Sequence, residues 1–148
     1  MGAAELRDRL SKFPDTTLET WRTCNFYERS NNFADVIEPD KINIIDFLEI
    51  CSDTWKVGEY LKAIHDKLKT GIAVVAIQKK IGQDLGRGAE FSLEKARLYL
   101  SMDRGKAKII KCKNWVNTSI SPVGLEIDYK LIAGCVFKPS PLGWVKGG

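Results

Sequence analysis

Asp46 closes a β-branched run, Ile42-Asn43-Ile44-Ile45. Open α/β sheets bind ligands beyond the carboxyl ends of their strands, and a carboxylate there suits Mg²⁺ held through water. The same aspartate could instead cap a helix or shape a turn. Gln78 ends the next apolar run, residues 72–77. A neutral amide in that place can donate to a phosphate or orient a water; the plainer role is a polar residue opening a loop. After it, residues 79–91 carry Lys79, Lys80 and Arg87 among Gly82, Gly86 and Gly88. A flexible basic loop of this kind can close on a nucleic-acid backbone through its amines and backbone N–H groups. It can also be simply solvated. Phe91 is its one aromatic residue, so base stacking is not indicated. Lys111 and Lys113 stand two apart on an apolar stretch, which puts both on one strand face about 7 Å apart. Two adjacent ammoniums ask for an anion: a phosphate clamp in one reading, a lysine-protected edge strand in the other.

These residues need elements to position them. Residues 42–47 predict a strand, and Ser52-Asp53-Thr54 offers a helix N-cap. Val57, Leu61, Ile64 and Leu68 then follow the stripe of an amphipathic helix, which Gly71 stops. Residues 72–77 predict the next strand. Strand, helix and strand make a βαβ unit, and continuous apolar strands fit a parallel sheet covered on both faces. Upstream, residues 3–12 suit a helix closed by Pro14, and a short strand is expected around residues 21–25. Downstream, Ser92 is expected to cap a short helix running to Lys95. Strands are expected over 97–102 and 106–113, joined by an Asp103-Arg104-Gly105 turn, with a hairpin over 125–131 and 134–137. Residues 139–148 hold two prolines and three glycines and predict a flexible tail after a domain spanning 1–138. The expected fold is α/β: a mainly parallel twisted sheet with helices packed on it, ending in an antiparallel hairpin.

Composition sets outer limits. The chain has 148 residues, one domain's worth. Residues 1–70 carry 10 Lys/Arg against 13 Asp/Glu, net −3, whereas residues 71–148 carry 13 against 6, net +7. A basic half points to a polyanionic partner or to a solvated basic surface. Cys24, Cys51, Cys112 and Cys135 have no CxxC spacing and His65 is the single histidine. Free thiols in a reducing cytosol follow, not a zinc site. No apolar run is long enough to span a bilayer and the first residues do not form a signal peptide. A cytoplasmic protein with no membrane partner is therefore expected. His65 and Glu49 read as surface residues, although Glu49 stands where a catalytic base could act. Trp21, Trp55, Trp115 and Trp144 read as packing or interface residues.

Four segments carry a resemblance. Ile-Asn-Ile-Ile-Asp-Phe-Leu-Glu (42–49) resembles the Walker B segment of DnaB-type helicases, and Val-Val-Ala-Ile-Gln-Lys (74–79) resembles the next strand with its sensor glutamine. Phe-Ser-Leu-Glu-Lys-Ala (91–96) looks like the segment ahead of the following strand. Lys-Ile-Ile-Lys-Cys-Lys-Asn (108–114) resembles the strand that offers positive charge in trans to a neighbouring subunit's nucleotide. Order and spacing agree over roughly residues 40–137. The chain is similar to the RecA-like P-loop ATPase core of replicative helicases, in particular to phage-encoded ATPases that share a Gly-Arg-Gly loop.

The resemblance implies ATP and Mg²⁺ as cofactors, with Asp46 coordinating Mg²⁺ and Gln78 sensing the γ-phosphate. It implies Lys111 and Lys113 as trans-acting fingers. Lys79, Lys80, Arg87 and Gly88 would contact DNA, expected single-stranded. The partner would be a homo-oligomer or a subunit carrying the P-loop. Three departures stand against the pattern: Lys113 replaces the usual arginine and its planar fork, Trp115 replaces a glycine, and no GxxxxGK[ST] exists in the chain. The phosphate loop and the usual catalytic glutamate are expected upstream of residue 1, leaving a RecA-like domain that is partial and inactive alone. A non-enzymatic module that binds nucleic acid or docks on an ATPase stays open as the alternative.

Overall fold

Pro39 fixes how the first unit closes. Its carbonyl accepts from Lys69 N–H at 2.8 Å and Gly71 N–H at 2.9 Å, and Ile72 N–H donates to the Lys41 carbonyl at 3.0 Å. A side chain at residue 71 could not fit, because a Cβ there would lie 2.4 Å from the Lys41 oxygen. The computed structural model, which describes residues 3–49 and 53–147, thereby seats β2 (Ile72–Val75) beside β1 (Ile42–Ile45). The two strands run parallel in the register Ile42↔Ile72 to Ile45↔Val75. Between them runs α3 (Val57–Lys67), which follows α1 (Ala3–Leu10) and α2 (Leu18–Arg22) in the chain. The βαβ unit read from the sequence is present.

Helix α3 buries Val57 and Ile64 against Ile45 and Leu48. Phe33, Ala34, Ile37, Leu61, Ala73, Val75 and Ile77 pack around this centre. Only one sheet face takes part. On the opposite face Ile42, Ile44, Ile72 and Val74 are 70, 73, 54 and 55% exposed. A parallel pair is normally covered on both sides; among the described residues this one is covered on one.

The remaining strands are antiparallel. They are β3 (Leu98–Asp103), β4 (Lys106–Cys112), β5 (Leu125–Ile132), β6 (Val136–Pro139) and β7 (Val145–Lys146). They form a five-stranded sheet in the order β3-β4-β5-β6, with β7 also pairing with β5. The expectation of a mainly parallel sheet is met only in β1 and β2, so the architecture is mixed α/β with the two kinds of pairing segregated. For β3–β4 and β5–β6 the reason is connection length. Arg104-Gly105 and Ala133-Gly134-Cys135 are too short for a crossover and return the chain antiparallel, with Gly105 at φ 82° and Ala133 and Gly134 at φ 52° and 74°.

Three further expectations change. Residues 21–25 form no strand. The Thr20 hydroxyl accepts from Thr17 N–H at 3.3 Å and starts α2, whose Trp21 meets Phe13 edge-on at 5.5 Å. Ser92 caps no helix. It lies inside a 3-10 turn, Ala89–Leu93, and its hydroxyl donates back to the Ala89 carbonyl at 2.6 Å. The tail is not loose through its length: a turn at Ser140–Gly143 returns Val145–Lys146 to β5. Ser52 and Cys51 lie outside the described residues. Among the described residues, no helix is long and apolar enough to cross a membrane.

Candidate functional site

Strand periodicity decides where the candidate residues point. Even-numbered residues of β1 and β2 face away from α3 and odd-numbered ones face it, as the alternating exposure from 71 to 80 records. Asp46 and Gln78 share the parity of Ile44 and Val74. Both are exposed and both lie beyond the carboxyl ends of their strands. Past the last ladder pair the strand ends stay joined, with Ala76 N–H donating to Ile45 O at 2.9 Å and Leu48 N–H to Ala76 O at 2.9 Å. Asp46 and Gln78 are thus brought to one edge of the uncovered face. The Asp46–Phe47 peptide is cis.

The loop after Gln78 is tethered. The Gln78 carbonyl accepts from Arg87 N–H at 2.8 Å, and Lys79 bridges antiparallel to Gly86. The Lys79 ammonium reaches Asp103 Oδ1 at 2.6 Å and the Gln83 carbonyl at 2.9 Å, and its side chain is only 12% exposed. The Lys79 hydrogen bond holds the Asp103 carboxyl below the usual carboxylate range, with help from Gly82 N–H. A second tether joins Lys108 Nζ to Asp84 at 2.9 Å, which raises the lysine above its ordinary range. Gly86 N–H donates to Tyr99 Oη at 2.8 Å.

Consequently the four residues expected to contact DNA are not equivalent. Lys79 is engaged within the chain. Lys80 and Arg87 are exposed on the loop. Gly88, at φ 90°, is pressed on the first turn of α3, where a Cβ would lie 2.1 Å from Val57 Cγ1. Its role in this structure is close packing.

Lys111 and Lys113 keep their common side. Lys111 pairs with Tyr99 in the β3–β4 ladder, and Lys113 N–H extends the pairing to Arg97 O at 2.8 Å. The Lys111 ammonium is half-buried and donates to the Leu93 carbonyl. Burial, reinforced by the neighbouring Lys113 charge, pushes it below the ordinary lysine range, while Glu94 opposes the shift. Lys113 is exposed. Among the described residues, no hydrogen bond or ion pair joins the Asp46 or Gln78 side chain to any of the four lysines.

Tyr99, Asp84, Asp103 and Lys108 are the residues that sequence reasoning passed over. Only the spacing of Lys106 and Lys108 two apart, with Asp103 opposite Lys106 across the turn, hinted at them. Compared with known proteins, the chain matches no family model, no curated protein and no solved structure.

Proposed function

We propose that this chain is the sensor-bearing half of a RecA-like ATPase core of the DnaB type, which couples ATP hydrolysis to unwinding or remodelling DNA. One observation carries the reading: Asp46 and Gln78, at the ends of two parallel strands joined by one helix, emerge on one exposed face. The finer RecA-like fold belongs to the same proposal, since parallel pairing here is limited to β1 and β2. A single exposed carboxylate suits Mg²⁺, which keeps most of its water and takes one or two protein carboxylates. Bound Mg²⁺ would neutralise phosphate charge. Asp46 would hold its water shell, and Gln78 would hydrogen-bond the terminal phosphate. Lys113, exposed at the end of β4, would meet the nucleotide of a neighbouring subunit as a point charge, with Lys111 beside it. Contact with DNA falls first to Lys80, because Lys79 is committed to Asp103, with Arg87 exposed on the same loop.

The test is to co-express the chain with a P-loop segment encoded next to it and measure Mg²⁺-dependent ATP turnover. Expected is turnover that needs both polypeptides and drops on the order of 100-fold in Asp46→Ala and in Gln78→Ala. Turnover by this chain alone, turnover indifferent to both substitutions, or the lack of any neighbouring P-loop gene would overturn the reading. The competing module, which docks or binds nucleic acid without catalysis, is favoured by the uncovered Ile42–Ile44–Ile72–Val74 face. It predicts salt-sensitive DNA binding that no nucleotide alters.

A further inference from the structure

Where the basic loop ends, the fold brings in a residue from the far side of α3. Thr54, Trp55, Gly88, Ala89 and Phe91 line one open cleft. Trp55 sits in the 3-10 turn Thr54–Lys56 ahead of α3, and Phe91 in the turn Ala89–Leu93. The two residues are 53 and 47% exposed. Among the described residues the two rings make no contact with each other, unlike Phe13 with Trp21 or Tyr129 with Phe137. Two large aromatic side chains thus border one cleft, each about half in water.

The cleft is built by unusual backbone. Asp53, Gly88 and Ala89 are all left-handed, at φ 47°, 90° and 44°. For alanine that conformation is disfavoured, and such strain concentrates at ligand sites. Gly88 supplies the close approach: Thr54 O and Val57 lie where its side chain would be. Charge surrounds the cleft. The Lys56 ammonium stands 5.2 Å from the Trp55 ring centroid and pairs with Asp53 at 2.8 Å. Exposed Arg87 adjoins Gly88, while Glu90 and Glu94 stand on the Phe91 side. A mixed rim of this kind gives phosphate no dedicated seat. The specific part of the cleft is its pair of aromatic surfaces, and those suit the π-face of a base, with the Lys56 ammonium beside the Trp55 ring.

We infer that the Trp55–Phe91 cleft takes an unpaired nucleobase of a single-stranded nucleic acid by stacking, next to the Lys80–Arg87 loop. This rests on the nucleic-acid part of the function proposed above and extends it from backbone contact to base contact. An enclosed pocket would suit a free nucleotide; an open cleft continuous with a basic loop suits one base of a longer strand.

The experiment is fluorescence anisotropy with a labelled oligothymidylate and the full chain. Trp55→Ala and Phe91→Ala should each weaken binding roughly tenfold, and Trp55→Phe, which keeps a ring, should restore most of it. An oligomer of the same length with abasic sites should bind wild type no better than the alanine variants bind the intact strand. Oligothymidylate binding that is unchanged in both alanine variants, or matched by the abasic strand, overturns the cleft and leaves the DNA-binding reading standing. A mononucleotide binding as tightly as the oligomer overturns the assignment to a strand. No oligomer binding at all overturns both the cleft and the DNA contact proposed for the loop. Both residues are about half exposed, so truncating them leaves the core intact.

Discussion

Lys79 and Lys111 show how far a residue's chemistry depends on what lies opposite it. In the sequence Lys79 read as part of a basic loop open to a nucleic-acid backbone, and Lys111 as one of two ammoniums that ask for an anion. Lys79 lies against Asp103 and Lys111 against the Leu93 carbonyl, contacts with residues 24 and 18 positions away. No local pattern reports such partners. Asp46 and Gln78 were legible because their placement needs only two strand ends and a period of two. The linkage at Asp103 has a definite sign. Its folded pKa is depressed, so the ion pair's support is complete above the unfolded carboxyl value near about 3.9 and is lost as pH falls through the lower folded value. Asp103→Asn should therefore speed hydrogen exchange at residues 80–87 roughly two- to fivefold at neutral pH. Repeated at pH about 3, below the unfolded value, the difference from wild type should shrink. A difference that is equal at both pH values would rule out the ion pair as its source. Lys111 has the same sign of pH dependence for a different reason, because burial disfavours its charged form. Its depressed pKa means that the unfolded chain binds the extra proton, so this group's contribution to stability rises with pH up to the unfolded lysine value near about 10.4.

At the level of elements, the clearest sequence signals gave the most faithful results. Val57, Leu61 and Ile64 of the stripe lie on α3, which ends at Lys67, one residue before Leu68, and the β-branched runs on either side are β1 and β2. The Asp103-Arg104-Gly105 turn and the 125–137 hairpin are also where the residues put them. Failure came where the pattern was short. Residues 18–22 are Leu-Glu-Thr-Trp-Arg, and five residues do not separate a helical turn from a strand by periodicity; the Thr17–Thr20 contact decides it. Val145–Lys146 is a strand only because β5 offers an open edge, which residue preference cannot register. Gly88 joins two elements, and its substitution is a direct test. Gly88→Ala requires both a positive φ and a Cβ inside Val57, and should cost about 2–4 kcal/mol in urea unfolding. A loss under about 0.5 kcal/mol would mean that the loop does not close on α3 as described. Gly82, at φ 75° with open space around it, should show only the smaller conformational penalty on the same substitution.

For the molecule as a whole, the governing fact is the segregation of parallel from antiparallel pairing. The sequence suggested the parallel unit and then extended it too far, because an apolar strand looks alike in either kind of sheet. The short returns at Gly105 and Gly134 were the better guide. One outcome is an apolar face on β1 and β2 that nothing within the described residues covers. Surfaces of this kind associate. Ile44→Lys and Ile72→Lys, both at exposed sites, should leave the unfolding midpoint within a few degrees of wild type, roughly the effect of a surface change. They should also hold the chain monomeric at concentrations where wild type sediments as larger species. Wild type that stays monomeric throughout would remove the basis for this prediction. The junction between the two sheets has a mechanical meaning as well. Gln78 is followed at once by Lys79, and Lys79 is fastened to the turn that joins β3 to β4. One peptide unit and one ion pair thus separate Gln78 from the hairpin that carries Lys111, a link that bypasses the hydrophobic core.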